Sequence, residues 1–128
     1  MSGNRAVLDS NILVYLSKGQ IAFDEIESHY TSLYASAVTY MEVLGFNFKN
    51  IIEETKLKLL LNSISIAHTN MEIATHVIDF RKKKKIKIPD AIILATAKHL
   101  NADVLTENRK DFKGLGWDDK IVSPSGLQ

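Results

Sequence analysis

The chain has 128 residues, 45% of them apolar and 24% charged, with a formal net charge of +1: enough for one domain (residues 1–128) with a real core, and too little for two. It contains no cysteine, which excludes disulfides, zinc–thiolate sites and thiol nucleophiles and suits a reducing, cytoplasmic setting. No run approaches the ~20 consecutive apolar residues that cross a bilayer, and Arg5-Ala6-Val7-Leu8-Asp9 is too short an apolar stretch for a secretory leader.

Residues 5–8 read as a first buried strand. A helix over Ile12–Lys18 follows, with Asp9, Ser10 and Asn11 all able to supply capping oxygens. A second helical stretch, Phe23 to His29, leads to a short strand at Leu33-Tyr34-Ala35, and Ser36 caps a third helix running to about Phe48. Asn50 opens a helix through Leu61, and residues 64–67 form another strand. Asn70 caps the next helix, whose apolar face is Ile73, Ala74, Val77 and Ile78. Pro89 suits the first turn of a helix to Leu100 that is apolar almost all round and therefore central. Residues 103–105 and 120–122 close the chain as fourth and fifth strands. Strands alternating with helices predict an α/β fold, a three-layer α/β/α sandwich on a parallel sheet of about five strands. In such sheets ligands bind beyond the carboxyl ends of the strands, where strand order reverses.

Four acidic residues stand at joints of this pattern, each beside residues expected to be buried: Asp9, Glu42, Asp90 and Asp111. An unpaired carboxylate near a core costs several kcal/mol or gives up its charge, so each needs an explanation. Taken singly, each has a plain one. Asp9 reads as an N-cap, although Ser10 and Asn11 could cap in its place. Glu42 has Val38 and Phe46 one turn away on either side, and it could reach past the core edge to solvent or a lysine. Asp90 favours the positive end of its helix. Asp111 lies in a loop where acids cost little, and where Thr106 and Asn108 could donate hydrogen bonds. Taken jointly, an all-carboxylate set without Cys or His points to a hard cation, Mg2+ or Mn2+, and to phosphoryl chemistry.

The segments Leu8-Asp9-Ser10-Asn11-Ile12-Leu13, Ser36 to Gly45 around Glu42, Ile88-Pro89-Asp90-Ala91, and Leu105-Thr106-Glu107-Asn108 to Asp111-Phe112 together resemble the PIN-domain family. The likeness is to the VapC-type toxins of toxin–antitoxin modules, and it spans essentially the whole chain in order. It implies an Mg2+- or Mn2+-dependent endoribonuclease that leaves 5′-phosphate and 3′-hydroxyl ends, is inhibited by a cognate antitoxin protein and forms a homodimer. Asp9, Glu42 and Asp90 match the family's three strongest acidic positions and Asp111 the fourth, which some members place at the position of Asn108 here. The resemblance assigns supporting hydroxyls to Ser10 and Thr106, and Asn11 and Asn108 are further supporting candidates.

Six basic residues, Arg81, Lys82, Lys83, Lys84, Lys85 and Lys87, precede Asp90. They read either as a solvated helix C-terminus or as a phosphate-binding rim beside the acidic site. The four histidines share no ligand spacing and read as structural. Two other functions compete with the nuclease. A phosphohydrolase with Asp9 as nucleophile would want a second Asp where the chain has Asn11. A non-catalytic PIN-like module binding RNA or protein would leave the acids repelling one another for no gain.

Overall fold

The computed structural model describes residues 4–127, the side chains of 126 and 127 excepted. Five strands, β1 (Arg5–Leu8), β2 (Ser32–Ser36), β3 (Ser65–Ala67), β4 (Asp103–Leu105) and β5 (Ile121–Val122), form one sheet in the order β3-β2-β1-β4-β5. All four pairings are parallel. The helices are α1 (Ser10–Ser17), α2 (Phe23–Glu27), α3 (Ala37–Leu44), α4 (Ile51–Asn62), α5 (Met71–Lys83) and α6 (Ile88–Leu100). None of them, among the described residues, is long and apolar enough to cross a membrane.

The period of two along each strand divides the interior into two cores. Ala6, Leu8, Leu33, Ala35 and Leu105 pack with Ile12, Leu13, Ile26, Val43, Leu57 and Leu61 on one face of the sheet. Val7 and Val104 pack on the other with Ile73, Val77, Phe80 and the run Ala91–Ala95. Helices cover both faces, and the sandwich expected from the alternation is what forms. β1 sits at the centre, and all its residues but Arg5 are buried. From β1 the chain builds outward through β2 to β3, then returns to place β4 on the opposite side. The strand order therefore reverses between β1 and β4, and Asp9 and Thr106 are the first residues beyond those two strands.

Several boundaries shift from the sequence expectations. Helix α1 begins at Ser10, and Asp9 itself is the N-cap; Ser10 and Asn11 lie inside the helix and do not cap it. Helix α3 stops at Leu44 instead of reaching Phe48, since Gly45 takes the C-cap, where a Cβ would stand 2.7 Å from the Met41 carbonyl oxygen. Helix α2 is shorter by a residue or two, ending at Glu27. On α5 the buried stripe is Ile73, Val77 and Phe80, spaced i, i+4, i+7; Ile78 is 55% exposed. Helix α6 is buried without interruption from Ala91 to Ala97, as expected.

Candidate active site

Asp9 leaves the end of β1 with its backbone amide bonded to the Leu105 carbonyl at 3.0 Å, so the central strand pair fixes its position. The residue is only 6% exposed. One carboxylate oxygen, Oδ1, accepts from the Ser10 amide at 2.8 Å; the other, Oδ2, accepts from the Thr106 hydroxyl at 2.7 Å. Asp9 thus caps α1 through Oδ1 and is tied to the residue after β4 through Oδ2. Burial pushes its carboxyl above the ordinary range. The bonds from Thr106 and Ser10 oppose that shift, and the charge of Asp111 adds to it.

Thr106 is fully buried and spans the point where strand order reverses. Its hydroxyl donates to Asp9 and accepts from the Asn108 amide at 2.9 Å, which ties the loop after β4 to the end of β1. Asn108 therefore contributes through its backbone. Asn11 makes a long contact, its Oδ1 lying 3.5 Å from the Glu107 amide. A Thr106→Val variant keeps the volume but leaves the buried Asp9 oxygen and the Asn108 amide without that partner. It is expected to lose about 2 kcal/mol in urea unfolding, the scale of a buried hydrogen bond to a charged group, while Thr106→Ser stays near wild type.

Glu42 comes from α3, whose start is locked by a buried pair. Ser36 Oγ accepts from the Thr39 amide at 3.0 Å and its hydroxyl donates to Thr39 Oγ1 at 3.0 Å. The Glu42 residue is exposed, yet its carboxyl is partly screened from water and lies in the field of Asp9, and both effects raise its pKa, screening first. Asp90, in the first turn of α6, is pushed up to about 6 by burial first, then by Asp9 and Asp111. Lys87 pulls it down and Glu42 adds a small upward push. Asp111 ends a short 3-10 turn over Arg109–Asp111 and is exposed.

The fold thus brings all four predicted carboxylates into one electrostatic neighbourhood. Asp90 feels each of the other three, and Asp9 feels Asp111. As they stand, no three Asp, Glu or His side chains among the described residues converge tightly enough to grip a metal ion; like charges favour that separation. The donor set nevertheless fits a hard divalent cation. It offers carboxylate oxygens alone, it sits at the carboxyl end of the sheet, and burial and the charges of its members raise the pKa of Asp9, Glu42 and Asp90.

The basic run divides. Arg81 and Lys84 are engaged by the backbone: Arg81 Nη1 donates to the Ile86 carbonyl at 2.6 Å, and Lys84 Nζ to the Lys113 carbonyl at 2.6 Å. Lys82, Lys83, Lys85 and Lys87 are exposed. The link from Lys84 to the turn before Lys113 is a tertiary contact between segments far apart in the chain, and no local sequence signal announces it.

Comparison with curated proteins finds no match. A PIN-domain profile matches residues 6–117, most of the chain. Among solved structures, a chain of a toxin–antitoxin complex from Klebsiella pneumoniae is 31% identical, with 93% of this chain and 97% of that one aligned and a TM-score of 0.71. Two more distant likenesses show the shared fold. One is a chain of VapBC2 from Rickettsia felis bound to promoter DNA, with 21% identity, coverage of 85% and 91% and a TM-score of 0.73. The other is a chain of DNA-bound VapBC from Salmonella typhimurium, with 18% identity, coverage of 94% and 98% and a TM-score of 0.75. The chain belongs to the PIN-domain family and has the fold of chains found in VapBC toxin–antitoxin complexes.

Proposed function

We propose that the protein is a divalent-cation-dependent endoribonuclease, the toxin of a toxin–antitoxin pair, acting in the cytoplasm. Membership of the PIN-domain family supports nuclease activity in general. The observation that carries the finer reading is that Asp9, Glu42, Asp90 and Asp111 share one electrostatic neighbourhood where strand order reverses. These four would hold Mg2+ or Mn2+. Such a cation, when bound, supplies Lewis acidity, an activated water and neutralisation of phosphate charge.

The chain's own residues prepare the site in three ways. Thr106 and Ser10 fix the plane of the Asp9 carboxylate through one bond to each oxygen. The Ser36–Thr39 pair holds the start of the helix that bears Glu42. Asp90, at about 6 in the metal-free protein, exchanges its proton near neutral pH. A carboxylate must shed its proton to bind a cation, so Mn2+ affinity measured by calorimetry is expected to weaken as pH falls from 7.5 through 6. A flat profile over that range would contradict the role of Asp90.

An antitoxin and a second copy of this chain are the proposed protein partners. Their support is an apolar surface on α3, α4 and the turn between them, where Met41, Phe46, Ile51, Ile52 and Leu59 are all more than 60% exposed. Beside Glu42, Val14, Val43, Phe46 and Phe48 line a groove of about 280 Å³. The test of the nuclease reading is incubation with a panel of structured RNAs in Mg2+, Mn2+ or EDTA. Cleavage in either metal, leaving 5′-phosphate and 3′-hydroxyl ends, and none in EDTA, is the expected result. Cleavage undiminished by EDTA would overturn it.

A further inference from the structure

Among the described residues, the exposed lysines after α5 make no ion pair within 4 Å, and Lys87 acts on the Asp90 carboxylate from farther off. The ion pairs within 4 Å among the described residues are Lys58–Glu54 and His99–Glu72, and neither involves this region. The macrodipole of α5 accounts for cations only in its last turn. It does not reach Lys85 and Lys87, because the helix has already closed at Lys84, whose backbone is extended (φ −153°, ψ 149°). Nor does it reach Lys110 and Lys113, which are exposed on a different segment.

Lys84 joins these two segments. Its ammonium donates to the Lys113 carbonyl at 2.6 Å and lies 3.4 Å from that of Lys110, a charge-assisted clamp on the 3-10 turn that ends in Asp111. The outcome is a basic strip in two rows. One row runs along the concavity lined by Arg81 to Ile86 and on to Lys87, whose field reaches Asp90; the other holds Lys110, next in sequence to Asp111, and Lys113. Each row therefore leads to a carboxylate of the candidate site.

We propose that these two rows form one track for the phosphates of a single RNA strand on its way to the carboxylates, and that Lys84 is the positioning residue that holds them together. The proposal rests on the reading of the protein as an RNA-cleaving enzyme and adds where the strand runs and what organises its path. It implies that cleavage needs several phosphates on the α5 side of the scissile bond, so a dinucleotide is a poor substrate.

The test is binding of a fluorescein-labelled 20-nucleotide single-stranded RNA by anisotropy, in EDTA, across 50–200 mM salt. At about 0.7 per phosphate contact for single strands, the triple variant Lys83→Gln/Lys85→Gln/Lys113→Gln is expected to flatten the log–log salt slope by about 2. It should also bind on the order of 100-fold more weakly at 0.1 M salt. Lys84→Met, which removes one charge, should lose more affinity than Lys83→Gln, and Lys84→Arg should recover it. In cleavage, the triple variant should raise KM and leave kcat within a few-fold. An unchanged slope, or no RNA binding by the wild type, overturns the track. Lys84→Met no weaker than Lys83→Gln overturns the clamp. Binding in EDTA is read without cleavage, so the two readings fail separately: a lost slope with no cleavage in any metal refutes the nuclease alone, and cleavage with an unchanged slope refutes the track alone.

Discussion

An Asp9→Asn variant is expected to cleave RNA at least about 10³-fold more slowly than wild type while keeping its circular dichroism spectrum. The estimate rests on several kcal/mol of charge stabilisation from a correctly held cation, with each ~1.4 kcal/mol worth tenfold in rate. The fold should survive because the amide retains the shape of the carboxylate. Its oxygen can still accept from the Ser10 amide, and its NH2 can donate to the one Thr106 lone pair that the Asn108 amide leaves, at the cost of the Thr106 proton's acceptor. Removing a buried charge also relieves the desolvation that raises the Asp9 pKa. Wild-type cleavage rates in this variant would remove Asp9 from the chemistry.

Asp90→Asn should stop cleavage too, yet make the metal-free protein more stable. An unfolded Asp titrates near 3.9, whereas folding raises Asp90 to about 6. The folded state then holds the proton more tightly than the unfolded one. For this group, stability is greatest below about pH 4, falls as pH rises through 6, and stays low above it. A shift of about two units would correspond to nearly 3 kcal/mol. Partial solvent screening, and the loss of an acid from the first turn of α6, reduce the expected gain to about 1 kcal/mol, or roughly 4 °C in Tm. In EDTA at pH 7.5 the variant should melt above wild type, and at pH 4 the two should converge. Saturating Mn2+ should reverse the order, since a cation bound to the native state stabilises wild type more. A variant that melts below wild type in EDTA at pH 7.5 would show that Asp90 is not under electrostatic strain.

Stored repulsion of this kind is what a functional site leaves in a fold that otherwise satisfies itself. Among the described residues, no buried side-chain nitrogen or oxygen lacks a hydrogen-bond partner. The costly feature is the burial and mutual repulsion that raise the pKa of Asp9, Glu42 and Asp90.

Much of this was legible before any coordinates. The alternation of Ala6, Val7 and Leu8 and the unbroken apolar run of α6 are local patterns with one economical burial, and they led to the parallel sheet and its covering helices. The four acids stand out in the sequence because each breaks an apolar context. What sequence could not show was tertiary. In the sequence, capping and site roles for Asp9 read as alternatives, since a sequence does not reveal that the two carboxylate oxygens face different donors. The end of α3 lies at Gly45, a position that suits glycine because a Cβ there would stand 2.7 Å from the Met41 carbonyl oxygen. Ile78 followed the helical period, yet the i, i+4, i+7 stripe turned it outward. Lys84 reads as one more solvated lysine until the turn before Lys113 folds against it.

The most direct test of the central claim, that four carboxylates make one cation site, is calorimetric titration of the purified protein with Mn2+ at pH 7.5. Asp9→Asn, Glu42→Gln, Asp90→Asn and Asp111→Asn would be titrated in parallel. Saturable binding by the wild type, weakened at least about tenfold in the Asp9, Glu42 and Asp90 variants and by a smaller factor in the Asp111 variant, is the predicted result, in line with what loss of one ligand or its support costs a metal site. No binding by the wild type, or equal binding in all five proteins, would contradict it and leave a PIN-fold binding module in place of the enzyme.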